Sequence, residues 1–463
     1  MTFEIPKDLM VSVSGVRGRV GEALTPEIVT RFAAAFGAWI HESAGPARVV
    51  VARDSRTSGP MFLRAVTAAL QSVGHEVIQL GLAPTPTTLL AIRHHGAAGA
   101  IVVTASHNPV EWNALKFASA DGMFLDGGQS PAMLAFLSER PVPRAAWDEL
   151  GDVRTDDDAV ARHIERVLAI PFLDVDALRR RRFRVALDCI RGAGAVLLPP
   201  LLEALGCEVD AIHTDPDGRF HRKPEPVAAN LGELEARVRS SGADIGFATD
   251  PDGDRLALVD DRGAAIGEDF TLALAAALVL RHRTGPVVTN LSTSRLLDDV
   301  ADAAGVTLER APVGEINVAR AMQAAGAVVG GEGNGGVILP EIHLTRDSAV
   351  AVALVLQLLL EVAQPLHRIV ASYGPYTIVK ATLPRLAGSI ATALDTLEAE
   401  LNAPRADRRD GLRLDWPEDR KWLHLRPSGT EPLFRIIAEA PDAMAAEGLV
   451  ARARTTVSGS VPG

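Results

Sequence analysis

Short apolar runs alternate with amphipathic segments through most of the chain, and one order of elements recurs three times. Each time an apolar, partly β-branched run leads through a polar or glycine-containing loop into a helix, after which a glycine opens the next strand. The first strands of the three units are predicted at residues 48–52, 183–188 and 286–290. Such alternation of strands and helices predicts parallel sheets with right-handed crossovers, and therefore α/β domains.

Each predicted unit closes in the same way. A helix ends at a Gly-Ala pair (Gly96, Gly242 and Gly326 begin these pairs), a short strand follows, and a polar loop comes next. In open α/β sheets, ligands bind at the carboxyl ends of the strands. The candidate functional segments are therefore the serine loop (104–109), the acidic loop (250–255) and the glycine-rich loop (331–336).

The pattern changes after about residue 364. Strands at 377–381, 421–425 and 434–438, with helices at 390–401 and from about 442, predict a smaller α+β domain. A chain of 463 residues also exceeds what one hydrophobic core normally organises. We predict an α/β fold of three similar domains with mixed or parallel sheets, plus the α+β domain. The predicted boundaries are 1–152, 153–259, 260–368 and 369–463, with linkers near 152–158 and 260–263.

Composition narrows the class of partner. The net charge of -11 argues against nucleic acid and anionic membranes, because the overall field repels phosphate polymers. The longest apolar runs, 270–280 and 349–360, are too short to span a bilayer and predict buried helices. The first residues lack the apolar region of a signal peptide, and the two cysteines have no metal-ligand spacing. We therefore expect a reduced, cytoplasmic protein.

The serine loop follows a buried strand at 101–103. Ser106 supplies a hydroxyl, His107 follows it directly, Asn108-Pro109 forces a turn, and Lys116 lies a little further along the chain. A nucleophile beside proton-transfer groups at the end of a strand is typical of an active site. A lone serine that caps a helix is the alternative interpretation.

The acidic loop has carboxylates at alternate positions, Asp250, Asp252 and Asp254. This spacing lets one loop wrap oxygen ligands around a hard divalent cation. An EF-hand is excluded because Arg255 stands at the sixth position in place of glycine, and an apolar strand at 256–259 follows. A solvated surface turn is the alternative, and it is disfavoured because three neighbouring carboxylates repel one another.

Two further loops suit polar ligands. In the glycine-rich loop the only side chains are those of Glu332 and Asn334, a carboxylate and an amide that suit vicinal hydroxyls, although a flexible glycine turn is the alternative. The C-terminal loop (426–432) offers a guanidinium, two hydroxyls and a glycine, which together form an anion site of phosphate size; a plain turn is its alternative. A glycine-punctuated segment at 15–21, with Arg17 at its centre, predicts a glycine turn.

A nucleophile, a metal loop, a hydroxyl-binding loop and a phosphate site together describe phosphoryl transfer on a phosphorylated polyol. The sequences Gly-Val-Arg-Gly (15–18), Thr-Ala-Ser-His-Asn-Pro (104–109), Asp-Pro-Asp-Gly-Asp-Arg (250–255), Gly-Glu-Gly-Asn-Gly-Gly (331–336) and Arg-Pro-Ser-Gly-Thr-Glu-Pro (426–432) resemble those of the α-D-phosphohexomutase superfamily. Within it, the resemblance is greatest to the phosphoglucosamine mutase and phosphomannomutase/phosphoglucomutase branches. The motifs span the whole chain in order.

The resemblance implies four domains around a central cleft and an enzyme that interconverts hexose 6-phosphate and hexose 1-phosphate. The reaction would pass through a phosphoserine and a hexose 1,6-bisphosphate, which would also act as activator. Ser106 would be the phosphorylated nucleophile, and its phosphate would hold one Mg²⁺ together with Asp250, Asp252 and Asp254. The transfer site would be lined by Arg17, His107, Lys116 and Arg255.

The resemblance also implies which residues bind the sugar hydroxyls and the non-reacting phosphate. Glu332 would contact sugar hydroxyls, and the non-reacting phosphate would be held by Arg426, Ser428, Gly429 and Thr430. One departure matters, because several branches end the glycine-rich loop with Ser-Gly-His where this chain has Asn334-Gly335-Gly336. Any acid/base role of that histidine cannot be transferred here, which puts more weight on His107 and Lys116.

We expect a phosphoglucosamine mutase. A phosphomannomutase/phosphoglucomutase is the alternative, because none of the residues identified in the sequence can be assigned to recognition of C2 of the sugar. A phosphatase is disfavoured because a hydrolase needs no second phosphate site. A non-catalytic sugar-phosphate-binding protein is disfavoured because Ser106 and the acidic loop are intact. The expected partner is a small sugar phosphate, and the expected assembly is a monomer or a homodimer.

Overall fold

The computed structural model describes residues 5–384, 390–427 and 433–459. The first unit contains β1 (Met10–Ser12), β2 (Gly15–Arg19), α1 (Pro26–Ala44), β3 (Arg48–Arg53), α2 (Gly59–Gln71), β4 (Glu76–Leu82), α3 (Thr85–His95), β5 (Gly99–Val103), β6 (Trp112–Ser119), α4 (Gln129–Leu134) and β7 (Val153–Thr155). The second contains α5 (Ala159–Leu168), α6 (Val175–Arg181), β8 (Arg184–Asp188), α7 (Leu198–Ala204), β9 (Glu208–Ile212), α8 (Gly232–Ser241), β10 (Ile245–Thr249) and β11 (Leu256–Val259).

The remaining elements form a third α/β unit and a C-terminal unit. The third contains α9 (Asp269–His282), β12 (Val287–Asn290), α10 (Leu296–Ala304), β13 (Leu308–Ala311), α11 (Glu315–Ala325), β14 (Val329–Glu332), β15 (Gly336–Ile338), α12 (Ser348–Val362) and α13 (Leu366–Ala371). The last contains β16 (Thr377–Pro384), α14 (Ile390–Leu401), β17 (Arg405–Asp407), β18 (Leu412–Trp416), β19 (Lys421–Pro427), β20 (Leu433–Ala440) and α15 (Ala443–Gly459).

The first three sheets share one order of strands. Their common parts run β6-β5-β3-β4, β11-β10-β8-β9 and β15-β14-β12-β13. In each, the three strands joined by crossover helices are parallel, and the loop-bearing strand forms an antiparallel hairpin with the next one. The predicted α/β fold with mixed sheets is confirmed, and the serine, acidic and glycine-rich loops all leave equivalent strands.

The repeated Gly-Ala pairs end equivalent helices in the same conformation. Gly96, Gly242 and Gly326 are left-handed, with φ of 57°, 63° and 63°. The alanine after each glycine donates its N–H to a helix carbonyl, at 2.9 Å for Ala97, 3.3 Å for Ala243 and 3.0 Å for Ala327. A residue without Cβ adopts this helix-ending conformation most cheaply. The caps therefore direct each chain into the strand that carries the loop.

The apolar helices α9 and α12 lie inside a core that is shared by the second and third units. They cover the two apolar runs predicted as buried helices, and eight of the 14 residues of α9 and 12 of the 15 residues of α12 are buried. The first and the last units have their own cores. Within the described parts of the chain, no helix is both long and apolar enough to cross a membrane.

Two predictions about connecting segments are wrong. Residues 15–19 form β2 between β1 and β6 rather than a glycine turn, because Val16 packs into the core and pairs with Leu115 of β6. The stretch predicted as a linker near 152–158 contains β7, which pairs with β4 at the edge of the first sheet. All residues of β7 are exposed, so no apolar pattern marks it in the sequence. The domain boundaries themselves stay a prediction.

The C-terminal unit is an antiparallel sheet of order β16-β20-β19-β18-β17, covered by α14 and α15. This is the predicted smaller α+β domain. Its sheet contacts the third unit through side chains. Glu439 of β20 accepts from the Ser294 hydroxyl and, at 2.8 Å, from the Arg295 N–H. The Ser292 hydroxyl lies 2.8 Å from His424 Nδ1 of β19.

A buried polar network joins α3, α5 and α12. Oδ2 of Asp347 lies 2.8 Å from Nε2 of both His163 and His343, and Thr87 lies 2.9 Å from the other ring nitrogen of His163. Oδ1 of the same aspartate accepts two N–H groups in the first turn of α12. Burial alone would raise the pKa of Asp347, but His163 and His343 outweigh it and keep the pKa low. The network fixes α12 relative to the elements before it.

Candidate active site

The Ser106 hydroxyl lies in the interior, at the carboxyl end of β5. Ser106 is only 6% exposed and has a left-handed φ of 46°, a conformation that costs a non-glycine residue roughly 1–2 kcal/mol. Its N–H donates to the Thr104 hydroxyl at 3.0 Å, and that hydroxyl donates to Asp54 Oδ2 at 2.6 Å. The serine loop is therefore held by groups at the end of the neighbouring strand, β3.

Arg56 is the main anchor of the serine loop and was missed by sequence reasoning. Its fully buried guanidinium donates to Asp54 Oδ2 at 3.0 Å. It also donates to four backbone carbonyls, those of Pro109 (2.7 Å), Trp112 (2.9 Å), Ser106 (2.6 Å) and Asn108 (2.7 Å). The available signal was the Asp-Ser-Arg sequence directly after a buried strand, next to the strand that carries Ser106.

The acidic loop lies against Ser106. The Ser106 hydroxyl donates to Asp250 Oδ2 at 2.9 Å, and Asp250, Asp252 and Asp254 each place a carboxylate oxygen within 4.8 Å of the others. Oδ1 of Asp250 accepts three N–H groups of its own loop at 3.1–3.3 Å. Burial, Asp254 and Asp252 raise the pKa of Asp250 well above its usual range.

The acidic loop has the donor set of a cation site. Oδ1 of Asp252 and Oδ1 of Asp254 are buried, and neither finds a hydrogen-bond partner among the described residues. An unpartnered buried carboxylate oxygen is costly unless a ligand or ion satisfies it. Hard divalent cations prefer such oxygen ligands, so the loop could bind a metal ion.

Lys116 and Thr85 bind the middle carboxylate of the acidic loop. Lys116 Nζ lies 2.8 Å from Asp252 Oδ2 and 4.0 Å from Asp254 Oδ2, and the Thr85 hydroxyl donates to Asp252 Oδ2 at 2.6 Å. Burial alone would lower the pKa of Lys116, but Asp252 and Asp254 outweigh it and raise the pKa above its ordinary value. Burial likewise opposes the charge of Asp252, yet Lys116 holds the pKa of that aspartate low. Lys116 is therefore a fixed cation.

Three more predicted residues lie at the serine and acidic loops. Nδ1 of His107 lies 3.4 Å from the Ser106 hydroxyl, and Arg255, burial and Arg17 lower the pKa of His107 well below its usual range. Arg17 donates to the Asn108 side chain at 3.2 Å. Arg255 Nε lies 3.9 Å from Asp254 Oδ1. The imidazole is therefore neutral and faces two guanidinium groups.

Glu332 is buried and already accepts hydrogen bonds on both oxygens. Oε1 accepts from Asn290 at 2.8 Å and from the Gly314 N–H at 3.1 Å, and Oε2 accepts from Arg346 at 2.7 Å and from Asn334 at 3.4 Å. Burial alone would raise the pKa of Glu332, but Arg346 outweighs it and keeps the pKa low. In contrast, Oδ1 of Asn334 is buried and has no hydrogen-bond partner within the described ranges.

The C-terminal loop is described only at its start. Arg426 donates to Asp410 Oδ2 at 2.8 Å, and the same oxygen accepts the Val313 N–H at 3.0 Å. Val313 precedes Gly314, which binds Glu332, so Arg426 is linked to the glycine-rich loop. The predicted phosphate-binding residues Ser428, Gly429 and Thr430 lie outside the described residues.

The described site combines a serine hydroxyl, three carboxylates, a lysine and several guanidinium groups that come from three units of one topology. Cations around a nucleophile offset the charge of a phosphoryl group, and an acidic loop beside it can hold a metal ion. The arrangement suits phosphoryl transfer better than hydride or acyl transfer. The glycine-rich loop leads into the strand β15 rather than into the helix of a dinucleotide site, and within the described residues His107 has no carboxylate hydrogen-bonded to it.

Comparison with known proteins agrees with this geometry. Four family models match consecutive parts of the chain, those for phosphoglucomutase/phosphomannomutase alpha/beta/alpha domain I (residues 9–137), domain II (161–263), domain III (267–376) and the C-terminal domain (378–456). A phosphoglucomutase/phosphomannomutase of Thermococcus kodakarensis is 37% identical over 92% of this chain and 93% of its own. A probable phosphoglucosamine mutase of Methanopyrus kandleri is 35% identical over 92% and 93%.

Among solved structures, a phosphoglucomutase/phosphomannomutase family protein of Burkholderia thailandensis superposes with a TM-score of 0.86. It is 26% identical, and the match covers 99% of both chains. Over the described residues, the chain therefore shares that architecture.

Proposed function

This chain belongs to the phosphoglucomutase/phosphomannomutase family, and we propose that it is a phosphoglucosamine mutase, which interconverts glucosamine 6-phosphate and glucosamine 1-phosphate. The observation that carries the chemistry is the 2.9 Å hydrogen bond from the Ser106 hydroxyl to Asp250 of the acidic loop. The choice of sugar rests on relatives that bear this name. The alternative is a phosphomannomutase/phosphoglucomutase, the name of another close relative.

The proposed reaction starts from phosphorylated Ser106. The free sugar hydroxyl attacks phosphorus, the bond between phosphorus and the serine oxygen breaks, and a 1,6-bisphosphate results. The bisphosphate then reorients in the site, and its other phosphate is transferred to Ser106. In the first step, the neutral Nδ1 of His107 accepts the proton of the attacking hydroxyl and passes it to the departing serine oxygen, which lies 3.4 Å away; in the second step the proton moves in the reverse direction. Lys116 is bound to Asp252 as a cation and serves to offset charge.

The acidic loop is proposed as the metal site. Asp250, Asp252 and Asp254, together with the phosphate on Ser106, would hold one Mg²⁺. The ion would stabilise negative charge on the transferring group. Arg17 and Arg255 are proposed to bind the phosphoryl oxygens.

Sugar binding is proposed for the two remaining loops. Oδ1 of Asn334 is available to accept a hydrogen bond from a sugar hydroxyl. Glu332 can accept one only if the hydroxyl replaces one of the protein groups that already donate to it. The non-reacting phosphate is assigned to Arg426, Ser428, Gly429 and Thr430, and Asp410 holds the Arg426 guanidinium in place through Nε. We further propose that hexose 1,6-bisphosphate activates the enzyme and that the enzyme is a cytoplasmic monomer or homodimer.

Replacement of the nucleophile tests the proposal. Ser106→Ala should lower kcat by at least about 10³-fold, because the covalent route is lost. Ser119→Ala, which changes another buried serine of the first unit, is the matched control and should stay near wild-type rates. Mass spectrometry of active protein should find one phosphate in the Ser106 peptide. Near-normal turnover of Ser106→Ala would exclude the mechanism.

Steady-state rates decide between the sugars. Glucosamine, mannose and glucose 6-phosphates are compared, each with a trace of the matching 1,6-bisphosphate, while released inorganic phosphate is recorded. A higher kcat/KM for the glucosamine substrate supports the proposal. A higher value for mannose or glucose supports the alternative, and stoichiometric release of inorganic phosphate would indicate a phosphatase.

A further inference from the structure

Arg346 lies between the acidic loop and the glycine-rich loop and contacts both. One terminal nitrogen, Nη2, binds Asp254 and lies 3.2 Å from Glu315 Oε2. The other, Nη1, donates to Glu332 Oε2 at 2.7 Å. The residue is only 6% exposed, and its backbone N–H is fixed to Glu315 Oε1 at 3.0 Å. A buried guanidinium that spans three carboxylates has little freedom to move.

Gly336 provides the space for this side chain. A Cβ at position 336 would lie 2.2 Å from Cδ and 2.8 Å from Cγ of Arg346. Both distances are too short for atoms that are not bonded to each other. The φ angle of Gly336 is not in the left-handed region, so the requirement for glycine here is one of space. Position 336 is also where the sequence departs from Ser-Gly-His. The side chain of Arg346 occupies the space beside Gly336.

We infer that Arg346 is a positioning residue of the mutase site, which holds Asp254 for the cation and Glu332 for the sugar at the same time, and that Gly336 is required for it. This inference rests on the proposed function. Because the guanidinium binds Oδ2 of Asp254, Oδ1 remains the oxygen that no described group satisfies. Because it also binds Oε2 of Glu332, a change at one loop is transmitted to the other through one rigid group.

The geometry predicts that one substitution weakens the binding of two ligands, Mg²⁺ and the sugar phosphate. Arg346→Met keeps most of the aliphatic stem but loses both contacts, so Mg²⁺ affinity should fall about tenfold or more and KM for the sugar phosphate should rise by a similar factor. Arg346→Lys should rescue little, because a single ammonium cannot reach both carboxylates as a planar fork does. Gly336→Ala should produce the same double defect by displacing the arginine.

The experiment measures Mg²⁺ binding by calorimetry and KM and kcat by steady-state assay, with unfolding midpoints recorded for every variant. Arg320→Met is the control, since Arg320 forms an interdomain ion pair with Asp121 at 2.7 Å outside the site. It should leave Mg²⁺ affinity and KM unchanged. In an Arg346→Met background, adding Gly336→Ala should cost less than twofold more, because the obstructing side chain is shorter and no longer held.

The inference is overturned if Arg346→Met keeps Mg²⁺ affinity and KM within twofold of wild type, or if it lowers only the unfolding midpoint and kcat. Independent, multiplicative effects of Gly336→Ala and Arg346→Met would also overturn it. The calorimetric arm does not depend on turnover. Absence of mutase activity in the wild type would refute the proposed function while the effect of Arg346 on Mg²⁺ binding could still be read.

Discussion

Arg56→Lys tests whether the serine loop is positioned by its buried anchor. The arginine donates five hydrogen bonds, one to Asp54 and four to backbone carbonyls, including that of Ser106 itself. Lysine keeps the charge but has three donors on one nitrogen. At least two hydrogen bonds are therefore lost, each worth roughly 1.5–3 kcal/mol with a charged donor.

The loss of these hydrogen bonds should disturb the position of Ser106. Ser106 holds a left-handed backbone that costs roughly 1–2 kcal/mol, and the bond from Arg56 to its carbonyl opposes relaxation. If the lost hydrogen bonds raise the activation free energy of the transfer step by about 3 kcal/mol, kcat/KM falls about 100-fold. We expect that fall together with a lower unfolding midpoint in urea and slower phosphorylation of Ser106 by the bisphosphate.

The control is Arg48→Lys, which changes an arginine on β3 whose side chain is 50% exposed and paired with Glu76. It should change kcat/KM by less than twofold. If Arg56→Lys stays within threefold of wild type in kcat/KM and in phosphorylation rate, the loop does not depend on this anchor. A lower unfolding midpoint with normal kinetics would equally show that Arg56 stabilises the fold without positioning the nucleophile.

Two other predictions concern the ligands. Asp252→Asn should raise the Mg²⁺ concentration for half-maximal activity by about tenfold or more, since a charged ligand of a hard cation is lost; full wild-type activity after exhaustive chelation would remove the metal role. Arg426→Ala should lower kcat/KM by about ten to a few hundredfold in both directions and increase release of bisphosphate per turnover, because charge-assisted bonds to the non-reacting phosphate are lost. Arg409→Ala, at an exposed arginine of the same unit, should change neither, and unchanged leakage in Arg426→Ala would contradict the phosphate assignment.

The sequence predicted the parts of the fold that follow from periodicity. Apolar runs and Gly-Ala pairs located the repeated unit, and the loops at its strand ends contained Ser106 and the three aspartates. The short exposed strand β7 and the strand β2 were not foreseen, because one carries no apolar alternation and the other is interrupted by glycines. Periodicity detects only strands that bury one face.

The partners of the site residues were harder to predict than the residues themselves. Arg56 acts on carbonyls some 50 positions away along the chain, and Ser106 meets Asp250 across 144 positions. Arg346 lies 14 positions after Glu332, beyond the end of the loop. Arginines are abundant in this chain, and apart from the Asp-Ser-Arg sequence at Arg56 no sequence pattern distinguishes an arginine that is buried among carboxylates from one on the surface. Tertiary packing alone makes that difference.

The shared strand order of the first three units has a consequence for how such an enzyme can diversify. Each loop departs from the same strand end behind the same glycine cap, so its length and residues can change while the scaffold beneath it stays intact. Preference for one sugar could be altered in the third loop without rebuilding the transfer chemistry of the first two. Arg346 limits that modularity, because it binds the glycine-rich loop and the acidic loop at once, so a change in one loop acts on the other.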